Sequence, residues 1–263
     1  MLKRPSSTLG MPNYLVLVAV SILLLLITLP LVAIAIRAAP ALAGVLRQPD
    51  VWVTVRLTAF TSLIAVVVIV LLGTPMALLL ARRQVAAWRI IDTVMDIPVV
   101  LPPAVAGIGL LMVFGRRGLL GPLLDSLGID VAFTTAAVII AQVFVALPLY
   151  VRAAVIGLKT IDPDFESVAM VEGANTWQVF THITLPLAAP AMLSGATLAW
   201  ARTLGEFGAT ILFAGNLVGR TQTMSLAIYI DFQSSLHTAL ALSFLLVLVS
   251  FGALLAVRAM ERQ

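Results

Sequence analysis

The sequence predicts an all-α polytopic membrane protein with six transmembrane helices. Hydrophobic residues make up 61% of its 263 positions and charged residues only 11%, and the mean hydropathy is +1.11. In water such a chain would expose far more apolar surface than a soluble domain tolerates. Its apolar stretches are continuous and reach the roughly 20 residues needed to cross a bilayer. They do not alternate with period two, which argues against a transmembrane β-barrel. Cysteine is absent, so disulfides, thiol catalysis and cysteine metal sites are excluded.

The spans are expected at 13–36, 54–81, 94–114, 134–157, 187–213 and 236–257, within one transmembrane domain covering 1–263. Lys3 and Arg4 precede the first, and Ala41-Leu42-Ala43 imitates a signal-cleavage site. The apolar run from Tyr14 to Ile36 exceeds the roughly 7–15 residues of a signal core, so it reads as a retained span. The second closes on Gly73-Thr74-Pro75 and Ala81-Arg82. The third carries Pro98, Pro102, Pro103, Gly107 and Gly109, which predicts a kinked or unwound entry. The sixth has no proline and one glycine, with charge only at its end.

Six spans put both termini on one side. That side would hold Lys3, Arg4, Arg82, Arg83, Arg89, Arg152, Lys159, Arg258 and Arg262, against Arg37, Arg47, Arg56, Arg116, Arg117 and Arg220 opposite. The excess makes it cytoplasmic. These cations are scattered singly or in pairs and form no stripe, so nucleic acid is not expected as a partner. On the outer face, Leu119–Leu127 reads as a short amphipathic helix ended by Gly128, and Gly215, Asn216 and Gly219 mark a turn beside Arg220.

No phosphate-binding glycine loop is present; Gly157-Leu158-Lys159-Thr160 lacks the glycine before lysine and follows a helix. His-Glu-x-x-His is also missing, and His182 and His237 fall on opposite sides, reading as interfacial residues rather than ligands. The chain is therefore expected to be no enzyme by itself, to hold no cofactor or metal, and to borrow ATP hydrolysis. No long tail follows Arg258, so no regulatory domain is expected on it.

The cytoplasmic loop 158–185 is the sharpest feature. Asp162-Pro163-Asp164 starts a short helix that runs to about Val171 and ends at Gly173. A second short helix, Thr176–Thr181, presents Trp177, Val179 and Phe180, and Pro186 then starts the fifth span. Paired short helices with apolar residues suit docking into a partner's groove. The competing reading lays the loop on lipid headgroups with Trp177 as anchor. Asp162, Asp164, Glu166 and Glu172 oppose that, because anionic headgroups repel them.

Within the fifth span, Arg202 and Glu206 are four apart and so share a helix face. Such residues brace the fold as a buried pair or line a path, and Thr203 and Thr210 beside them offer hydroxyls. Ala191, Gly195 and Ala199 form a small-residue stripe, expected at a subunit interface.

The segment Glu166-Ser167-Val168-Ala169-Met170-Val171-Glu172-Gly173, with Ile183-Thr184-Leu185-Pro186 after it, resembles the cytoplasmic "EAA" loop of binding-protein-dependent ABC importer permeases. Arg202-Thr203-Leu204-Gly205-Glu206-Phe207-Gly208-Ala209-Thr210, Gly219-Arg220-Thr221-Gln222-Thr223 and Leu101-Pro102-Pro103-Ala104-Val105-Ala106-Gly107 are similar to the ModB family of molybdate ABC transporter permeases. The chain departs from the usual Glu-Ala-Ala-Ala at Ser167 and Val168, and Glu172 replaces a usual apolar residue. The resemblance implies the MetI-like type I importer fold in a bacterial inner membrane. It implies a homodimer, two copies of an ABC ATPase that bind ATP and Mg, and an oxyanion-binding protein. The coupling surface would comprise Glu166, Ala169, Glu172, Gly173, Trp177, Phe180, Leu185 and Pro186. Sulfate, thiosulfate and tungstate permeases are the near alternatives. An ATPase-independent secondary transporter is the distant one, and it would leave the acidic loop without a purpose and predict an internal symmetry that is not evident.

Overall fold

The computed structural model describes residues 13–82 and 86–260. Lys3, Arg4, Arg83 and Arg262 lie outside the described residues, as do the side chains of Arg89 and Arg258. Helix α1 spans Asn13–Val45 and α2 spans Pro49–Arg82. They are followed by α3 (Ala86–Val100), α4 (Pro103–Phe114), α5 (Gly121–Ser126) and α6 (Thr135–Lys159). Next come α7 (Pro163–Val171), α8 (Thr176–Val179), a π turn (Phe180–Thr184) and α9 (Leu185–Leu204). The chain continues through α10 (Gly208–Phe213), α11 (Met224–Ser234) and α12 (Leu236–Met260).

Helix α6 is the axis of the molecule, packed between α2 and α9, with α3 laid along it. Its core face carries Tyr150, Val151 and Ala154, which meet Ile69 and Ala77 of α2 and Ala188, Met192 and Ala199 of α9. The inner face of α2 is a run of small and hydroxyl-bearing residues, Thr54, Thr58, Thr61, Ser62, Ala65 and Gly73, that lets neighbouring helices approach. Outward, α1 exposes Leu17, Ile22, Leu25, Leu26 and Leu29. An apolar exterior over a buried polar interior is the inverse of a water-soluble helix bundle and suits lipid.

Among the described residues, four helical stretches are long and apolar enough to cross a membrane: Tyr14–Val45, Pro49–Arg82, Thr135–Lys159 and Thr176–Leu204. Helix α12 contributes a shorter described apolar run, Leu236–Gly252. The expected third span is not one helix. Its halves, α3 and α4, meet at a 115° bend, because Pro102 and Pro103 deny the ladder two amides in succession. The first span extends nine residues past Ile36, where Ala41, Leu42 and Val45 pack onto a cluster with Ala241 and Leu242 of α12.

The fifth span departs most from expectation. Pro186 does not start it, and the second short helix does not stand apart. Helix runs without interruption from Thr176 to Leu204. Pro186 has no amide for the ladder, and the preceding π turn absorbs the misfit, with the Leu185 amide donating to the Phe180 carbonyl. The helix then stops at Gly205, and α10 begins three residues later. Helix α11, between the outer turn and α12, carries no distinct sequence signal and was not expected.

Candidate functional site

Residues 160–184 form a knob at the end of α6. Asp162 Oδ1 accepts the Asp164 amide at 3.0 Å, with Pro163 as the first helical residue. At the other end Gly173 adopts φ +95°, a left-handed conformation that only glycine takes freely. The amides of Gly173 and Ala174 donate back to the carbonyls of Met170 and Ala169 at 3.1 and 2.9 Å, which closes the helix as a Schellman motif. Asn175 then opens α8 with a reciprocal capping box. Its Oδ1 accepts the Gln178 amide at 3.0 Å, and Gln178 Oε1 accepts the Asn175 amide at 2.8 Å.

The knob offers its apolar side chains outward. No residue of α7 is buried, Val171 is 85% exposed and Trp177 70%. The Trp177 ring leans on Phe180, centroids 5.7 Å apart, while Leu185 turns inward onto the core. Glu172 and Pro186 are exposed and Ala169 is half-buried. Between the knob and α2 lies a groove of about 970 Å³ lined by Leu71, Leu78, Met170, Trp177, Phe180 and Met192.

Glu166 points from α7 to the body. Its Oε1 accepts from Arg82 Nη2 at 2.5 Å and from Thr184 Oγ1 at 2.6 Å. Sequence reasoning placed Arg82 only as a topological cation and gave Thr184 no role. Partners 84 and 18 residues away leave no local pattern to read.

Arg202 and Glu206 do pair, Nη1 to Oε2 at 2.9 Å, although the angle falls short of a hydrogen bond. They do so without sharing a helix face, because Glu206 lies in the break after α9. Its Oε1 caps α10 by accepting the Ala209 amide at 2.8 Å. Glu206 is 2% exposed. The arginine end opens onto a small cavity of about 180 Å³ lined by Pro98, Val99, Leu101, Pro103 and Leu149. The bend of the third span and the break of the fifth thus face each other. Thr203 is buried, with its hydroxyl donating to the Trp200 carbonyl at 2.7 Å and its own carbonyl accepting from Gln142 Nε2 at 3.3 Å. Thr210 Oγ1 and Gln142 Oε1 are buried without a hydrogen-bond partner among the described residues.

The small-residue stripe packs against α6 within the chain. A Cβ on Gly195 would sit 2.6 Å from Ala153 Cβ of α6, and one on Gly157 would sit 2.4 Å from Ala191 Cβ. Ala199 is fully buried in the same seam. Sequence reasoning also missed an ion triad. Arg152 of α6 reaches Asp92 Oδ1 at 2.7 Å and Asp96 Oδ1 at 2.8 Å, with a second bond to Asp96 Oδ2. Asp92 and Asp96 lie one helical turn apart, which was the available signal.

At the opposite end, a cavity of about 430 Å³ is lined by Phe114, Arg116, Asp125, Asp130, Leu217 and Arg220. Arg116 donates to both Asp130 oxygens at 3.2 and 3.1 Å. These bonds hold the Asp130 carboxyl below its ordinary range and raise the Arg116 guanidinium further.

With this geometry in place, relatives can be compared. Residues 70–263 match the binding-protein-dependent transport system inner membrane component family. The chain belongs to that family. This permease is 43% identical over 220 residues to the "Molybdenum transport system permease protein ModB" of Mycobacterium tuberculosis, covering 84% of this chain and 83% of the relative. It is 37% identical over 191 residues to the "Sulfate transport system permease protein CysW" of Synechococcus elongatus, covering 72% and 67%. Among solved structures, a chain of a bacterial alginate ABC transporter in complex with a pentasaccharide-bound periplasmic protein superposes with TM-score 0.75 at 17% identity, covering 95% and 94%. A chain of the MetNI methionine ABC transporter gives TM-score 0.62 at 18% identity, covering 82% and 97%. The permease has the MetI-like fold and is a multi-pass inner-membrane component.

Proposed function

We propose that this permease forms the membrane path of an ATP-driven importer for molybdate. Two copies enclose the path, with both termini in the cytoplasm. Two copies of a separate ATPase, which bind ATP and Mg, grip the α7–α8 knob, and an oxyanion-binding protein docks on the opposite face near Arg116 and Arg220. The observation that carries the reading is the 43% identity, across more than four-fifths of both chains, to a permease named for molybdenum transport.

The physical chemistry supports it. A dianion crossing a low-dielectric path needs donors and a modest potential, but no deep trap. Arg202 offers donors to the small cavity while Glu206 neutralises its charge, so the site attracts weakly and releases. The knob suits an ATPase because its caps make it a stiff unit with an exposed apolar surface, and helix-in-groove contacts use such anchors. ATP-driven approach of the two ATPases would draw the knobs together and open the path outward.

The test is a deletion strain grown on limiting molybdate. It should lose molybdenum accumulation and molybdoenzyme activity, regain both with excess molybdate, and keep sulfate-dependent growth. Sulfur auxotrophy with unchanged molybdenum content overturns the assignment in favour of sulfate, the second reading, which the 37% identity to a sulfate permease supports. Tungstate shares the charge and shape of molybdate, and competition for uptake by the purified importer separates the two.

A further inference from the structure

We propose that Arg82, Glu166 and Thr184 form a latch that carries movement of the docking knob into the second and fifth spans. The proposal rests on the reading of α7–α8 as the ATPase-coupling element. It adds two positioning residues, Arg82 and Thr184, that neither touch the partner nor line the path.

Helix α7 buries none of its residues and packs only against its neighbours in sequence, α8 and the π turn, among the stronger contacts described. Those contacts reach only the cytoplasmic end of the fifth span, and none among the stronger ones ties α7 to α2. The exception is Glu166. One carboxylate oxygen accepts from Arg82, the last residue of α2, and from Thr184, the residue before α9. The bonds are charge-assisted and converge on one atom, so α7 cannot shift without stretching both. Its carboxylate is well shielded, at 19% exposure against 48% for the Arg82 side chain, which keeps water from replacing the arginine easily. Beside the latch, the groove lined by Leu78, Met170 and Phe180 leaves α7 free to swing if the latch is cut.

The experiment uses the permease assembled with its ATPase and binding protein in proteoliposomes. Molybdate uptake and ATP hydrolysis are measured together for wild type, Arg82→Met, Arg82→Lys and Thr184→Val. Molybdate taken up per ATP should fall about tenfold in Arg82→Met, the scale of typical coupling between protein sites. It should fall less in Thr184→Val and largely recover in Arg82→Lys, while the ATPase co-purifies undiminished throughout.

A second readout does not depend on the substrate. The chain has no cysteine, so spin labels introduced at Val168 on α7 and Leu198 on α9, both exposed, report one distance. In wild type this distance should stay narrow and unchanged on adding nucleotide. In Arg82→Met and Thr184→Val it should broaden or shift. A distance that nucleotide leaves unchanged in both variants overturns the latch, as does loss of the ATPase from Arg82→Met, which would make Arg82 part of the docking surface. If Arg82→Met fails to insert, Thr184→Val, which removes only a hydroxyl, decides. Failure of the coupling-loop reading looks different: the ATPase would leave the Val168 label as mobile as in the isolated permease.

Discussion

The α7–α8 knob and the charged break at 205–207 both concentrate polar groups, but they are built on opposite terms. The knob is open to solvent, and its shape comes from bonds between residues two to five apart: Asp162 to Asp164, Ala174 to Ala169, Asn175 to Gln178. The break is buried, and there the Glu206 carboxylate is met by Arg202 and by the Ala209 amide. Water can replace a lost bond in the knob. In the break nothing replaces it, so equal chemical changes should have unequal effects.

The largest effect is expected at the break. Arg202→Met strands the Glu206 carboxylate, and removing one partner of a buried pair costs about 3–5 kcal/mol. Glu206→Ala should cost less, toward the lower end of that range, because Arg202 retains partial access to solvent at 34% exposure. The double change Arg202→Met with Glu206→Gln should recover much of the loss. Insertion yield and thermal unfolding in detergent check this ordering. Equal yields for single and double variants would show that the pair contributes nothing and would erase the contrast with the knob.

Next comes Gly173→Val. No atom lies within 4 Å of the added Cβ, so the cost is backbone strain alone, about 1–2 kcal/mol. The permease should insert normally yet lose ATPase association and uptake. If co-purification and uptake both stay at wild-type level, the knob is not the coupling element. Asn175→Ala removes one half of the capping box and should cost about 1 kcal/mol or less at so exposed a cap. It should weaken ATPase affinity without abolishing uptake.

The smallest effect is expected at the outer face. Arg116 lowers the folded-state pKa of Asp130, so the tie contributes above the ordinary carboxylate value of about 3.9. It is lost as pH falls through the lowered folded value. Asp130→Asn should therefore be slightly less stable than wild type near neutrality, and the gap should close in acid. A pH series of melting temperatures for both proteins reads this directly, and a gap that widens in acid would reverse the sign.

The same contrast explains what can be read from the sequence. Asp162-Pro163, Gly173 and Asn175-x-x-Gln178 state their local geometry outright, so the knob is legible almost to the residue. Arg202 and Glu206 are legible as partners but not as shapes. The helix stops at Gly205 and α10 packs on α4, a contact between distant segments that leaves no periodic trace in the sequence. The stripe at Ala191, Gly195 and Ala199 announces close packing without naming its partner, which proved to be α6. Arg82 and Thr184 were invisible as partners of Glu166, since contacts between distant segments leave no periodic trace.

The seam between α6 and α9 has a mechanical consequence. Gly157 against Ala191 and Gly195 against Ala153 leave no room for either helix to slide. Such a pair turns as a single lever. For the proposed path to open, the compliance within the third and fifth spans is expected where their backbone is already interrupted, at Leu101-Pro102 and at Gly205-Glu206-Phe207. These two joints lie side by side, and Arg202 lines the small cavity between them. Under the proposed path, the joint about which the permease turns is also the place where a crossing anion would meet a cation.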